Sequence, residues 1–342
     1  MNKLHKVGLT ALAGSLAAFS AYAGEVTVNG GAEMTHVRKH ADTGTGNPLG
    51  LKKALTFNYS GELDNGWTWS GNTAMLDSAT SDLFGGITSA GLSFTMGDMG
   101  TLKVGQSQNS ALGSIDDVMP TAWEETWNGQ ATVMARVNNA TYGTHIDYNS
   151  ADLGSGTTIG LTWNPDANST ASGGGAVNAG AGHSWDAAIK TSLGVDGLTL
   201  GGGYGEQERA TESANVGGYK HDAWEATWYA KYAVGPFTVG YQQTGEDSGI
   251  GTVSGVDYYE ADMWGVSFAV NDDLSISYGN SSSTKNFNNQ ATADIEIDID
   301  AINISYSMGA ASIRYQSSDG ANAGYTTGTN YDHQELNIAL SF

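Results

Sequence analysis

Short runs in which apolar and polar residues strictly alternate recur along this 342-residue chain, and no other feature narrows its fold so far. Leu55, Phe57, Tyr59 and Leu63 alternate with Ala54, Thr56, Asn58, Ser60 and Glu62. Trp185, Ala187, Ile189 and Leu193 do so with Asp186, Lys190 and Ser192. Trp224, Ala226, Trp228, Ala230 and Tyr232, and then Trp264, Val266, Phe268 and Val270, repeat the pattern. A period of two places successive side chains on opposite faces of a strand, so each run predicts a strand with one apolar and one polar face. Beyond the N-terminal segment, no stretch approaches the roughly 20 apolar residues that a membrane-spanning helix needs. If the chain crosses a membrane, it does so with strands.

The connections alternate as well. Asp64-Asn65-Gly66, Gly97-Asp98-Met99-Gly100, Val195-Asp196-Gly197, Gly235-Pro236, Asn271-Asp272-Asp273 and Gly309-Ala310 read as tight turns. Between them lie longer Gly/Ser/Asn-rich stretches near 40–49, 165–183, 206–220, 245–257, 282–293 and 318–329. Tight turns at one end and long loops at the other predict a closed antiparallel transmembrane β-barrel. About 16 strands are expected, an even number that lets the sheet close and leaves an aqueous interior, with 14 and 18 also compatible. Trp67, Trp69, Trp163, Tyr204, Phe237, Tyr278 and Tyr306 fall towards strand ends, where amphipathic rings would form interfacial girdles.

Both ends of the chain agree with export and closure. Lys3 and Lys6 precede an apolar stretch from Val7 to Phe19, and Ala21-Tyr22-Ala23 supplies a cleavage pattern. A signal peptide over 1–23 is expected, followed by a single barrel domain over 24–342. The final residues alternate through Leu336, Ile338, Leu340 and Phe342, as a strand closing a barrel would.

Removing Lys3 and Lys6 with the leader leaves 12 bases against 36 acids, a net charge near −24. Such a chain would repel nucleic-acid phosphates, so no nucleic-acid partner is expected. It has no cysteine, hence no disulfide framework or thiolate metal site. Only 4 prolines occur, in keeping with a sheet protein in which each would delete a ladder donor. Hydrophobic residues make up only 39%, low for a dry core of this length but sufficient for a barrel with a wet interior.

The whole mature chain resembles the general bacterial porins, especially their acidic proteobacterial type. The most specific stretch is Met99-Gly100-Thr101-Leu102-Lys103-Val104-Gly105-Gln106, a long insertion, and then Arg136-Val137-Asn138-Asn139-Ala140-Thr141-Tyr142. These are similar to the family's G-x-L/I-x-x-G strand, its pore-constricting third loop and the R-x-x-N-S-x-x-Y strand beyond, with Ala140 where the family usually has serine. Val26-Thr27-Val28-Asn29-Gly30 and the terminal Phe342 also match. The resemblance implies a homotrimer of 16-stranded barrels in the outer membrane. It implies that each barrel has its own pore narrowed by an infolded loop, and that the assembly machinery handles the chain through Phe342.

The stretch from about 107 to 130 would be that loop. It holds Ile115-Asp116-Asp117-Val118-Met119-Pro120 and Trp123-Glu124-Glu125-Thr126-Trp127, more apolar residues than a surface loop ordinarily carries. Apolar anchors would seat it on the inner wall, with Asp116, Asp117, Glu124 and Glu125 forming the acidic side of the constriction and about half of them reaching its narrowest point. By strand phase, Lys52, Lys103, Arg136 and Arg314 are the candidates for an opposing basic side. Arg38 is weaker, its phase placing it near the rim or outward. Each base has a competing reading as a structural ion pair in the wall. Opposed charges would set up a transverse field that orders water and favours small polar solutes. With acids so far in excess, the pore should prefer cations.

Asp294, Glu296, Asp298 and Asp300 share one face of an Asp-Ile-Glu-Ile-Asp-Ile-Asp run. Like charges at that spacing repel. They suggest either a Ca2+ ion, structural or bridging outer-membrane lipopolysaccharide, or a solvated rim above the bilayer. The apolar phase then slips from Ile295, Ile297 and Ile299 to Ile302, Ile304 and Tyr306, which predicts a β-bulge after Asp300. No G-x-S-x-G, P-loop, H-E-x-x-H or G-x-G-x-x-G pattern occurs, and the 7 histidines show no ligand spacing, so neither an enzyme nor a cofactor is expected. The expectation is a diffusion porin with a passive, cation-preferring pore for ions and small hydrophilic solutes. The alternatives are a substrate-selective channel and, from another class, a secreted β-sandwich adhesin.

Overall fold

The structure is a computed structural model that describes residues 24–40, 47–76, 87–106, 109–130, 137, 143–165, 181–209, 221–249, 255–287 and 292–341. Its strands are β1 (Glu25–His40), β2 (Leu49–Glu62), β3 (Thr68–Leu76), β4 (Ile87–Thr95), β5 (Thr101–Gln106), β6 (Thr144–Asn149), β7 (Thr158–Asn164) and β8 (Ala181–Thr191). They continue with β9 (Leu198–Arg209), β10 (Ala223–Val234), β11 (Phe237–Asp247), β12 (Val256–Ala269), β13 (Leu274–Phe287), β14 (Ile295–Met308), β15 (Ala311–Ala321) and β16 (Tyr331–Ser341). Each strand pairs antiparallel with its sequence neighbours, and β1 pairs with β16 from Gly31↔Ser341 to His40↔Asp332. The 16 strands form one closed barrel rather than two open sheets, which removes the sandwich alternative. Closure also removes the unpaired edges that an open sheet would leave.

The alternation seen in the sequence becomes an inverted protein. Leu102, Val104, Leu161, Trp163, Trp185, Ile189, Trp228, Val239, Trp264, Ile304 and Ile338 are exposed on the outside. Thr162, Asn164, Ser184, Asp186, Gln242, Ser277, Asn303, Gln316 and Asn337 are buried on the inside. A continuous apolar exterior of this extent is not tolerated in water but is what a lipid environment requires. Tyr204, Phe237, Tyr278 and Tyr306 also face out.

The predicted bulge after Asp300 is absent. Pairing of β14 with β13 and with β15 runs in unbroken register past Asp300. Glu296, Asp298, Ile302, Ile304 and Tyr306 all lie on the exposed face, while Ile297, Ile299 and Ala301 are buried inside. What changes along β14 is the medium outside it, since the strand extends beyond the apolar band. The same extension corrects several loop boundaries. Stretches expected as loop, including 206–209, 245–247, 282–287 and 318–321, are polar ends of β9, β11, β13 and β15. Outside the lipid the two faces no longer differ in polarity, so alternation fades there although the ladder continues. The predicted leader, most of the stretch around Arg136–Tyr142 and the terminal Phe342 lie outside the described residues.

Candidate functional site: an acidic loop inside the barrel

Between β5 and β6 the chain turns inward, and residues 109–130 run along the inner wall from β7 to β15. Apolar side chains seat both halves of this segment. Leu112 and Ile115 are fully buried against Ala188 and Tyr229, with Val118 and Met119 packed beside them. Further along, Met119 and Trp127 pack on Ala261 and Met263.

Backbone groups of the segment are met by a succession of inward polar side chains. The Ala111 amide donates to Thr162 Oγ1 (2.8 Å) and the Leu112 amide to Asp186 Oδ1 (2.9 Å). Gln242 acts as a clamp: its Oε1 accepts from the Val118 amide at 3.0 Å, and its Nε2 donates to the Ile115 carbonyl at 2.8 Å. Ser277 accepts from the Ala122 amide at 2.9 Å. Asn303 Nδ2 donates to the Glu124 carbonyl (3.1 Å) and Gln316 Nε2 to the Glu125 carbonyl (2.7 Å). Gln130 Nε2 donates to Ser318 Oγ at 2.7 Å. A buried backbone group left unmet costs about 1–3 kcal/mol, so these contacts fix the path of the segment as well as hold it.

The wall makes room with glycine. Gly240, Gly265 and Gly279 are cross-strand partners in one row over β11, β12 and β13. A Cβ at Gly240 would lie 2.7 Å from Pro120 Cδ, one at Gly265 2.8 Å from the Pro120 carbonyl oxygen, and one at Gly279 2.8 Å from Thr126 Cγ2. Gly160 and Gly203 relate in the same way to Ala111 and Leu112. At the far end Gly129 has a φ of +72° and a Cβ there would collide with His333 Cε1, leaving no room for a side chain. These glycines form a track one side chain deep, which explains part of the 48 in the chain.

The four loop acids take different environments. The Asp116 Oδ1 caps the Asp117 amide at 2.8 Å. Asp117 turns into the fold of the loop, accepting from the Met119 amide and from Trp127 Nε1, each at 3.0 Å. Burial pushes its carboxyl up to about 6, aided by Glu125 and Asp116 and opposed by those two hydrogen bonds. Glu124 is pushed up to about 7, chiefly by burial and then by the charges of Glu125, Glu335 and Glu33, with Lys52 acting the other way. Glu124 therefore belongs to an acidic cluster that includes Glu33 on β1 and Glu335 on β16, two residues the sequence reading did not single out. Asn337 donates to Glu33 Oε2 at 3.1 Å.

Of the predicted bases, Lys52 is cross-strand partner to Glu33 on the inner face and is the base that acts on Glu124. Lys103 faces inward but is 3.5 Å from Asp147, which also approaches His145 at 3.2 Å, so it belongs to an ion-pair group in the wall. Arg314 lies inward between the exposed Ile313 and the outward Tyr315, level with Asn337. Arg38 is exposed, in the outward phase of Met34 and His36, and Arg136 is outside the described residues. The structure thus brings Lys52 to Glu124, keeps Glu125 beside Glu124 and Asp117, and leaves Arg38 apart. Two further inward lysines, Lys190 and Lys231, belong to the polar faces of their alternating runs but were not among the site candidates, because what brings them to one wall is the register of β8, β9 and β10.

Asp294, Glu296, Asp298 and Asp300, the run expected to hold a cation, do not converge on one point. Asp300 accepts from Tyr278 Oη at 2.7 Å and Asp298 from Asn280 Nδ2 at 2.6 Å. The Asp294 carboxylate accepts from the Phe287 amide at 2.8 Å. Among the described residues no group of three or more His, Cys, Asp or Glu is placed to hold a metal ion.

Comparison with known proteins agrees with this architecture. A family model described as Gram-negative porin matches residues 8–341. No curated protein is detectably similar in sequence. Among solved structures, OmpF of Salmonella typhi in complex with daunomycin superposes with a TM-score of 0.71 at 13% identity, covering 94% of this chain and 98% of that one. A trimer form of OmpT from Vibrio cholerae gives 0.67 at 11% identity, covering 94% of this chain and 100% of that one. The outer membrane channel DcaP of Acinetobacter baumannii gives 0.67 at 12% identity, with 94% and 98% covered.

Proposed function

This chain belongs to the Gram-negative porin family, whose members are outer-membrane channels, and we propose from that premise that it is a cation-preferring diffusion pore narrowed by residues 109–130. The observation that carries this reading is the acidic loop seated on the inner wall of a closed barrel, with Glu124 beside Glu33, Glu335 and Lys52. A polar interior gives small hydrophilic solutes and ions a wet path. The loop reduces its cross-section, and the excess of carboxylates over bases at that level favours cations. Opposition of Lys52 to Glu124 and Glu125 adds a field across the path, which orders water and disfavours apolar solutes.

The functional unit is a homotrimer of such barrels, a reading supported by the fold it shares with the trimer form of OmpT. Export follows removal of residues 1–23, and assembly uses the terminal Phe342. At the rim, Asp300 is cross-strand partner to Asp319, and Asp319 to Asp332, outside the apolar band. Carboxylates so aligned repel one another unless cations intervene. Their wide spread fits Ca2+ ions shared with lipopolysaccharide phosphates better than one ion caged by protein.

Single-channel recording of the refolded mature protein in a planar bilayer tests the proposal. Conductance that closes by thirds supports both pore and trimer. Silence from protein shown to be folded would overturn the pore.

A further inference from the structure

The lumen wall on the turn side of the loop segment carries a feature of opposite sign to the loop. Lys190 on β8 lies beyond Ala188 towards the tight-turn end of the barrel, in the inward phase opposite the exposed Ile189. Lys231 on β10 lies two residues beyond Tyr229 in the same direction and on the same face. Only β9 separates them: Gly201 is cross-strand partner to both Lys190 and Tyr229, and Thr199 to Lys231. Neither has a carboxylate as cross-strand partner: Lys190 stands between Thr158 and Gly201, and Lys231 between Thr199 and Gly240. Among the described residues neither lysine forms an ion pair.

Between the two lies Tyr229, 3% exposed and packed beneath Leu112 and Ile115. Its hydroxyl extends over Gly201, 2.8 Å from where a Cβ there would stand, and has no hydrogen-bond partner among the described residues. Thr158, partner of Lys190 across β7–β8, and Thr199 add hydroxyls on the same face.

Two like charges held side by side in a half-buried wall are unfavourable unless something offsets them. In a chain with a formal charge of −22, leaving both without a carboxylate is notable, since acids are plentiful. We infer that Lys190, Lys231 and the Tyr229 hydroxyl form a binding step for an oxyanion, the phosphate or carboxylate of a small solute, on the turn side of the acidic loop. Two ammoniums and a hydroxyl on one face supply charge-assisted donors for an anion with several oxygens. The step rests on the reading of the barrel interior as a pore. A solute carrying both signs of charge would then meet the carboxylates of the loop and the lysine pair in succession.

The test is single-channel current in a planar bilayer at fixed potassium, with inorganic phosphate replacing gluconate on the turn side. Wild-type current falls saturably with phosphate but not with gluconate. In the K190Q/K231Q variant the half-blocking phosphate concentration rises by about tenfold or more, as expected for loss of charge-assisted hydrogen bonds. Y229F gives a smaller rise, and K285Q, at the opposite end of the barrel, leaves it unchanged. If the double variant does not fold, K190Q and K231Q singly each raise it, and K190R/K231R restores wild-type block. Current that responds to phosphate and gluconate alike would overturn the inference while leaving the pore intact, as would equal block in folded K190Q/K231Q. Folded wild-type protein that passes no current would remove the pore itself.

Discussion

Buried carboxyls at the loop make the charge of the interior depend on acidity in a range that ordinary carboxylates do not reach. Glu124 titrates near 7 and Asp117 near 6, both raised first by burial and then by neighbouring carboxylates. Above this window both are ionised and add to the negative field. Below it they are neutral, so the proposed cation preference falls as pH drops from about 7 through about 6. A zero-current potential that stays flat from above that window to below it would contradict this. Because both groups hold their protons more tightly than a free carboxyl, their contribution to stability is fully present below the ordinary values of 3.8 and 4.5 and is lost as pH rises from there to about 6 and about 7. Acidification therefore changes selectivity without loosening the loop through these two residues. Gln242 has the complementary role, structural and uncharged. Gln242→Ala leaves the Val118 amide and the Ile115 carbonyl without their partner and should cost about 1–3 kcal/mol in urea unfolding from lipid vesicles. Noisier open-channel current, as the loop loses its clamp, should accompany that loss.

Individual strands act here as two-sided surfaces whose neighbours on each side differ along their length. Gly265 on β12 faces Pro120, so Gly265→Val should push the loop off its track, costing about 1–3 kcal/mol through overpacking and changing single-channel conductance. On β14 the outward placement of Asp298 and Asp300 leads to a different expectation. D298N/D300N should leave the zero-current potential unchanged, because those charges do not face the interior, yet it should lower resistance of the lipopolysaccharide-bound protein to chelation by EDTA. A selectivity change in that variant would mean that β14 is wrongly phased. Much of this was legible in the residues. Alternation in runs such as Trp224 to Tyr232, punctuated by Gly235-Pro236, locates strands and turns, and Ile115 with Trp127 marks an insertion too apolar for solvent. The track was not legible. Gly240, Gly265 and Gly279 meet only when three strands adopt one register, and nothing local announces that Pro120 will cross them. Lys190 and Lys231 were hidden in the same way, although the phase of each could be read. The slip at Asp300 misled because an apolar pattern reports the medium around a strand, and β14 passes from one medium to another without a break.

At the scale of the whole molecule, charge is sorted by direction and by level. Carboxylates outside the apolar band line the rim of β14, β15 and β16, carboxylates inside gather around the loop, and the lysine pair lies towards the turns. The barrel wall keeps these groups from neutralising each other, which is how so acidic a chain can leave two lysines of one wall without an ion pair among the described residues. The apolar exterior and polar interior make the barrel stable only in a membrane, and closure of β1 on β16 makes it a tube rather than a sheet. On the proposed reading, what passes through is decided by a few side chains at one level, foremost Glu124 and Glu125. Zero-current potential across a planar bilayer under a potassium chloride gradient, comparing wild type with E124Q/E125Q, addresses that claim most directly. The wild type should give a cation-selective potential that moves distinctly towards zero in the variant. An anion-selective wild type, or a cation-selective potential that the variant leaves untouched, would contradict it.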